Sequence, residues 1–198
     1  MKQSDSLGFI EIRSKALIIT AMDEMLKTGK IKIAGLQKCG SAYITAAVSG
    51  KIEAISSAID VGLSSVKKIN NHPVIKKNNN MGQIISSYIV SKPEIDFIDI
   101  FFENKPGIKY NREGAIGFID SRGLISLLAA ADIISKRFPV KIIACQKLGS
   151  GRLNLSFVGE YDSVQMAVET GIDIARKHGK FIGSSILANP HPEIRNML

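Results

Sequence analysis

Two cysteines, Cys39 and Cys145, are all the thiols in this 198-residue chain. That is too few for a disulfide framework at this length and suits a reducing compartment. Long apolar runs are missing too. The most apolar stretch, GLISLLAAADIIS, is interrupted by Asp132, so no segment offers the roughly 18 uncharged residues of a membrane helix. The opening MKQSDSLGFIEIR has acidic residues where a secretory signal would have its apolar region, and a cytoplasmic location without membrane contact is expected. A formal charge of +8 invites a nucleic-acid partner, but the cations are not gathered. Lys27, Lys30, Lys32, Lys38 and Lys51 are spread out, the pairs Lys67/Lys68 and Lys76/Lys77 stand alone, and no basic stripe carries interleaved aromatics. No nucleic-acid binding is expected.

Catalytic constellations are lacking as well. Of the three histidines, His72 and His191 adjoin proline and His178 ends a basic helix, so none forms a nucleophile pair with cysteine or serine. The string GSGR lacks the rest of either phosphate-binding fingerprint. Glu11 and Asp120 each stand without a second carboxylate and read as surface or interface residues rather than an acid/base pair. The chain is therefore not expected to be an enzyme.

What is present is a repeat. The chain is 45% hydrophobic, enough for a packed core in one large or two small domains. At a fixed offset of 109 positions, without a gap, LGFIEIRS faces IGFIDSRG, AMDEMLK faces AADIISK, IKIAGLQKCGSA faces VKIIACQKLGSG, and AIDVG faces AVETG. The register fails only after Lys68, where NNHPVIKKNNNMG lengthens the first copy; a polar Asn/Lys-rich stretch is where a surface loop tolerates insertion.

Each copy reads as one string of elements. GFIEIR is a strand, and SKALIITAMDEMLKTG sets Leu17, Ala21 and Met25 on one helical face, with Ser14 as cap and Gly29 just past the end. IKIAGLQK and AYITAAVSG are strands joined by a Gly-Ser turn. A second helix places Ile52, Ile55, Ile59, Gly62 and Val66 at helical spacing, and IISSYIVS returns as a strand. Ala58 and Gly62, matched by Ala167 and Gly171, are expected to bring that helix close to the sheet. The fold class is α+β, a tandem duplication of a ferredoxin-like β-α-β-β-α-β unit. The domains are 5–96 and 114–198, with a linker at 97–113 that packs along one face.

The ordered set GFIEIR, the helix ending in DEMLK, IKIAGLQK, the Gly-Ser turn, a strand closing on Gly50 and the final NPHPEI, found twice, resembles the shell proteins of bacterial microcompartments. It covers nearly the whole chain and is similar to the tandem-domain, trimer-forming members, in the direct order of the propanediol-utilisation type. The resemblance implies a homotrimer equivalent to a six-domain ring, tiled with other shell proteins around enclosed enzymes in the cytoplasm. It implies a central pore ringed by Gly40, Ser41 and Ala42 from one copy and Gly149, Ser150 and Gly151 from the other. It also implies ring-edge contacts through Lys27 and Lys136, whose long stems can lie along a neighbour, and through Lys92 before Pro93. At the matching place before Pro190-His191 the second copy has Asn189 instead.

Cysteine occurs in only one of the two Lys-x-Gly-Ser turns, where Cys39 faces Leu148. Tandem shell proteins of the propanediol type carry a cysteine in this turn that holds an iron-sulfur cluster. The resemblance thus implies a [4Fe-4S] cluster at the trimer axis, one Cys39 per chain, serving electron transfer or delivery of iron and sulfur. Cys39 lies one place before the Gly-Ser pair, where it can equally point inward as a small hydrophobe. Cys145 reads as core. A different class of function is an oligomeric ferredoxin-like sensor of metabolites, which would remain a discrete oligomer where a tile forms sheets.

Overall fold

The computed structural model describes residues 6–40, 43–71, 84–107 and 114–195. The chain divides into two compact units, Met1–Pro93 and Glu94–Leu198.

In the first unit, β1 (Ser6–Ile12) leads to α1 (Lys15–Lys27), the pair β2 (Ile31–Cys39) and β3 (Tyr43–Gly50), then α2 (Ile52–Asn70) and β4 (Ile84–Val90). Local chemistry sets the boundaries. The Ser14 side chain accepts from the Leu17 amide at 3.3 Å, satisfying one of the open donors of α1. Gly29 then takes φ +77°, which lets the chain leave the helix where a side chain would be strained. The strands form one antiparallel sheet in the order β2-β3-β1-β4. Ile10 and Ile12 of β1 pack with Ile18, Met22 and Met25 of α1 and Ile55, Ile59 and Val66 of α2. Each such side chain contributes about 1.5–3 kcal/mol on burial.

The second unit opens with α3 (Phe97–Phe101), capped by Asp96, whose carboxylate accepts from the amides of Ile98 and Asp99. Phe97, Ile100 and Phe101 are buried, so the described part of the segment read as a linker has its own apolar anchor. β5 (Ala115–Arg122), α4 (Leu124–Arg137), β6 (Lys141–Gly149), β7 (Arg152–Gly159), α5 (Tyr161–His178) and β8 (Lys180–Leu187) repeat the first topology, in the order β6-β7-β5-β8, and α6 (Pro192–Arg195) follows. The Gly107 amide donates to the Ile143 carbonyl at 2.7 Å, covering part of the outer edge of β6. In the first unit β2 is likewise an edge strand, with Ile33 and Leu36 exposed and no further strand beside it among the described residues.

The expected tetrad of small residues behaves differently in the two units. A Cβ on Gly62 would meet Cγ of Met25 at 2.7 Å, so this glycine admits α1 rather than the sheet. Gly171 faces both, with Ile119 of β5 on one side and Ile134 of α4 at 2.8 Å. Close approach of helix and sheet is also made from the strand side, at Gly8 beneath Ile55 and at Gly117 beneath Val164 and the Phe157 ring.

Candidate functional site

The topology sorts the candidate residues into two groups. In each unit the first strand runs toward the hairpin turn, the first helix runs back, and the last strand, antiparallel to the first, also runs away from the turn. Lys27 and Lys92 therefore lie at the end of the first unit remote from Gly40, and Lys136 and Asn189 at the end of the second remote from Gly149. A turn end and a far end are thus defined in each unit.

At the turn end of the second unit, Gly149, Ser150 and Gly151 adopt φ of +86°, +51° and +75° in succession. A Cβ on Gly149 would touch nothing within 4 Å, so glycine is needed there for backbone conformation and not for room. Ser150, carrying a side chain in the left-handed region, costs about 1–2 kcal/mol. The Gly151 carbonyl accepts from the Gly123 amide at 3.0 Å, which ties the turn to the start of α4. In the first unit Gly40 has φ +68°, while Ser41 and Ala42 lie outside the described residues, as does His72.

The two positions before these turns differ sharply. Leu148 is 52% exposed and Cys39 is 1% exposed, paired across the ladder with Tyr43. A cluster on a threefold axis needs three sulfur atoms open to one another. Cys39 is enclosed within its own chain, in the placement of a small hydrophobe. Cys145 is buried as well.

Of the two strand carboxylates, Asp120 is half-buried and Glu11 departs from the surface or interface reading. Glu11 is fully buried rather than at the surface, and its Oε1 accepts from Thr45 Oγ1 at 2.8 Å. In the second unit Asp120 Oδ1 accepts from Asn154 Nδ2 at 2.7 Å. The donors at 45 and 154 were legible as a polar pair at one repeat position, once the register is known. His178, half-buried at the end of α5, has its pKa lowered by burial and by the neighbouring Lys177, so it stays neutral further into acid.

The far ends differ as well. Lys27 is exposed and bridges Asp23 at 2.6 Å and Glu24 at 2.7 Å, and the hydrogen bond to Asp23 is the main reason its pKa is raised. Lys136 bridges Asp132 at 2.6 Å, and Asp132 is only 3% exposed. Lys92 is exposed with φ +52°. Asn189 is exposed and Pro190 buried, and His191 Nδ1 accepts from the Glu193 amide at 3.3 Å.

Burial separates the two first helices more than any other pair of equivalent elements. α1 buries Ile18, Ala21, Met22 and Met25, leaving Lys15, Ala16, Ile19 and Asp23 exposed. The equivalent Leu124, Ile125, Leu128 and Asp132 of α4 are all buried.

The BMC domain model matches residues 6–78 and again 115–190. The carboxysome assembly protein CcmO of Synechococcus elongatus is 26% identical over 204 residues, covering 100% of this chain and 70% of that protein. The carboxysome shell protein CcmK2 of Thermosynechococcus vestitus is 33% identical over 86 residues, 42% of this chain and 84% of that protein. The bacterial microcompartment shell protein EutM of Escherichia coli is 28% identical over 97 residues, 49% of this chain and 88% of that protein. Among solved structures, a microcompartment protein from Desulfitobacterium hafniense superposes with TM-score 0.71 at 20% identity, over 98% of this chain and 99% of that one.

Proposed function

This chain belongs to the BMC-domain family, carrying the domain twice, and from that membership we propose that it is a shell protein of a bacterial microcompartment that works as a homotrimer. Six domains then close one ring, which tiles with other shell proteins in the cytoplasm around enclosed enzymes. The observation that carries the trimer is the contrast between α1 and α4. The outer face of α4 is closed within the chain, whereas Ile19, 46% exposed, occupies the place of Leu128, 0% exposed. In the proposed ring the cover for α1 comes from another molecule. A contact that uses different surfaces on its two sides is heterologous, and heterologous contacts close into rings.

In this ring the turn ends face the axis and the far ends face neighbouring rings. Gly40, Ser41 and Ala42 alternate with Gly149, Ser150 and Gly151 around a central pore. Lys27, Lys92 and Lys136 form the outer edge. Light scattering is expected to give three times the chain mass, and electron microscopy of concentrated protein to show sheets or tubes. A monomer or dimer removes the trimer; a trimer that never tiles removes the shell role and favours a discrete sensor.

The two edge lysines are expected to respond differently to substitution. Lys27→Asp sets a third carboxylate beside Asp23 and Glu24 at an exposed site, so it should abolish tiling while the trimer persists. Lys136→Ala removes the ion pair to buried Asp132 and should destabilise the second unit by about 1–3 kcal/mol. Comparing micrographs and urea midpoints of the two variants checks this; equal midpoints would show that the Asp132 pair contributes nothing.

A further inference from the structure

The second sheet carries three cations in register at its turn end. Arg122 of β5 stands opposite Arg152 of β7 on one side and Lys180 of β8 on the other. Directly opposed residues share a face of the sheet with Cβ atoms about 4.5–5.5 Å apart, and like charges so placed destabilise the pairing. Arg152 and Lys180 are exposed and Arg122 is half-buried. Among the described residues none of the three forms an ion pair, and the buried Nε of Arg122 has no hydrogen-bond partner. Asp120, two residues back on β5, accepts instead from Asn154.

The first unit treats the same positions in another way. Arg13, the equivalent of Arg122, lies over the Tyr43 ring at 4.9 Å and donates to the Tyr43 hydroxyl at 2.7 Å. Tyr43 is the equivalent of Arg152. A ring thus accommodates one guanidinium in the first unit, where the second assembles three cations without a counter-charge.

We infer that Arg122, Arg152 and Lys180 form a binding site for a small oxyanion, a phosphate or carboxylate group, in the second repeat only. A guanidinium presents a planar fork that matches two oxygens of such a group, and charge-assisted bonds of this kind are about twice as strong as neutral ones. An oxyanion bridging the three strands removes the mutual repulsion. It also uses donors that the protein leaves open. All three residues belong to one unit, so the site does not depend on ring closure. It does lie next to the turn assigned above to the pore, because Arg152 directly follows Gly151.

Calorimetric titration of the full chain at low ionic strength, first with inorganic phosphate and then with succinate, tests the site. Saturable binding of at least one probe, one per chain, is expected, and the preferred probe identifies the class of oxyanion. Affinity should fall about tenfold or more in Arg122→Gln and in Arg152→Gln, and fall again with added salt. Arg152 is exposed, so its substitution keeps the fold. Lys38→Gln, in the first unit, should leave affinity unchanged. Failure of both probes to bind, or binding that survives both arginine substitutions, overturns the inference; a partner's carboxylate filling the row in the assembled ring would give the first of these results. Scattering on the same samples reports the trimer separately.

Discussion

Replacing Ile19 by glutamate is expected to convert the trimer into single chains while both units stay folded. Ile19 lies on the face of α1 that its own chain leaves open, beside Ala16 and Asp23. In the free chain the new carboxylate sits in water at little cost. In the proposed ring it would be enclosed as its repeat equivalent Leu128 is, and an unpaired buried charge costs several kcal/mol. That weakens each contact by a factor on the order of a hundred or more. Leu128→Glu places the same charge at the same repeat position but inside the folded chain, and should unfold the second unit instead. Light scattering separates the two outcomes from circular dichroism. If Ile19→Glu still sediments as a trimer, the open face of α1 is not the contact.

The second large effect concerns a strand glycine. In Gly117→Val the new Cβ would stand 2.6 and 2.7 Å from two carbons of the Phe157 ring and 3.0 Å from Cγ1 of Val164. Phe157 is fully buried, so the ring has no open side to move into. Overpacking of this kind costs about 3 kcal/mol. Hydrogen exchange should show protection lost across β5, β7 and α5, with the helices of the first unit unaffected. Gly183→Ala is the control, since its Cβ would meet nothing within 4 Å, and its unfolding free energy should move by less than about 0.5 kcal/mol. Equal midpoints for the two variants would contradict the close seating of α5 on β5.

Much of this architecture was legible because the repeat checks itself. Strand alternation is weak in IISSYIV, yet the match to the second copy gives it a place, and β4 spans Ile84–Val90. The run LISLLAAADII is apolar on every side, which signals a helix covered all round, and α4 is buried in that way. What the sequence could not display is what each side chain meets. Glu11 looked like a surface or interface carboxylate because nothing near it in sequence pairs with it; its partner Thr45 is 34 residues away, across the ladder. Gly62 looked like a contact with the sheet because helical spacing gives a face but not its neighbour, and the neighbour is Met25. Cys39 and Leu148 occupy one repeat position, and only the packing separates a buried thiol from an exposed leucine. The cationic row was hidden for the same reason: Arg122, Arg152 and Lys180 are 30 and 28 residues apart, and only the register of three strands aligns them.

The uneven covering of the two repeats also has a consequence in time. The first unit precedes the second along the chain and is translated first, ahead of it by on the order of ten seconds at ordinary rates of synthesis. During that interval it stands with Ile19 and Leu26 of α1 in solvent and with Ile33 and Leu36 along the open edge of β2. The second repeat emerges with Gly107 already placed before the strand whose edge it covers. Unpaired edges and exposed apolar side chains are what drive association of incomplete chains. The first repeat is therefore adhesive from the moment it folds, and ribosomes following one another on a single message hold many such halves close together. The order of the repeats sets when the chain is first at risk of pairing with the wrong copy.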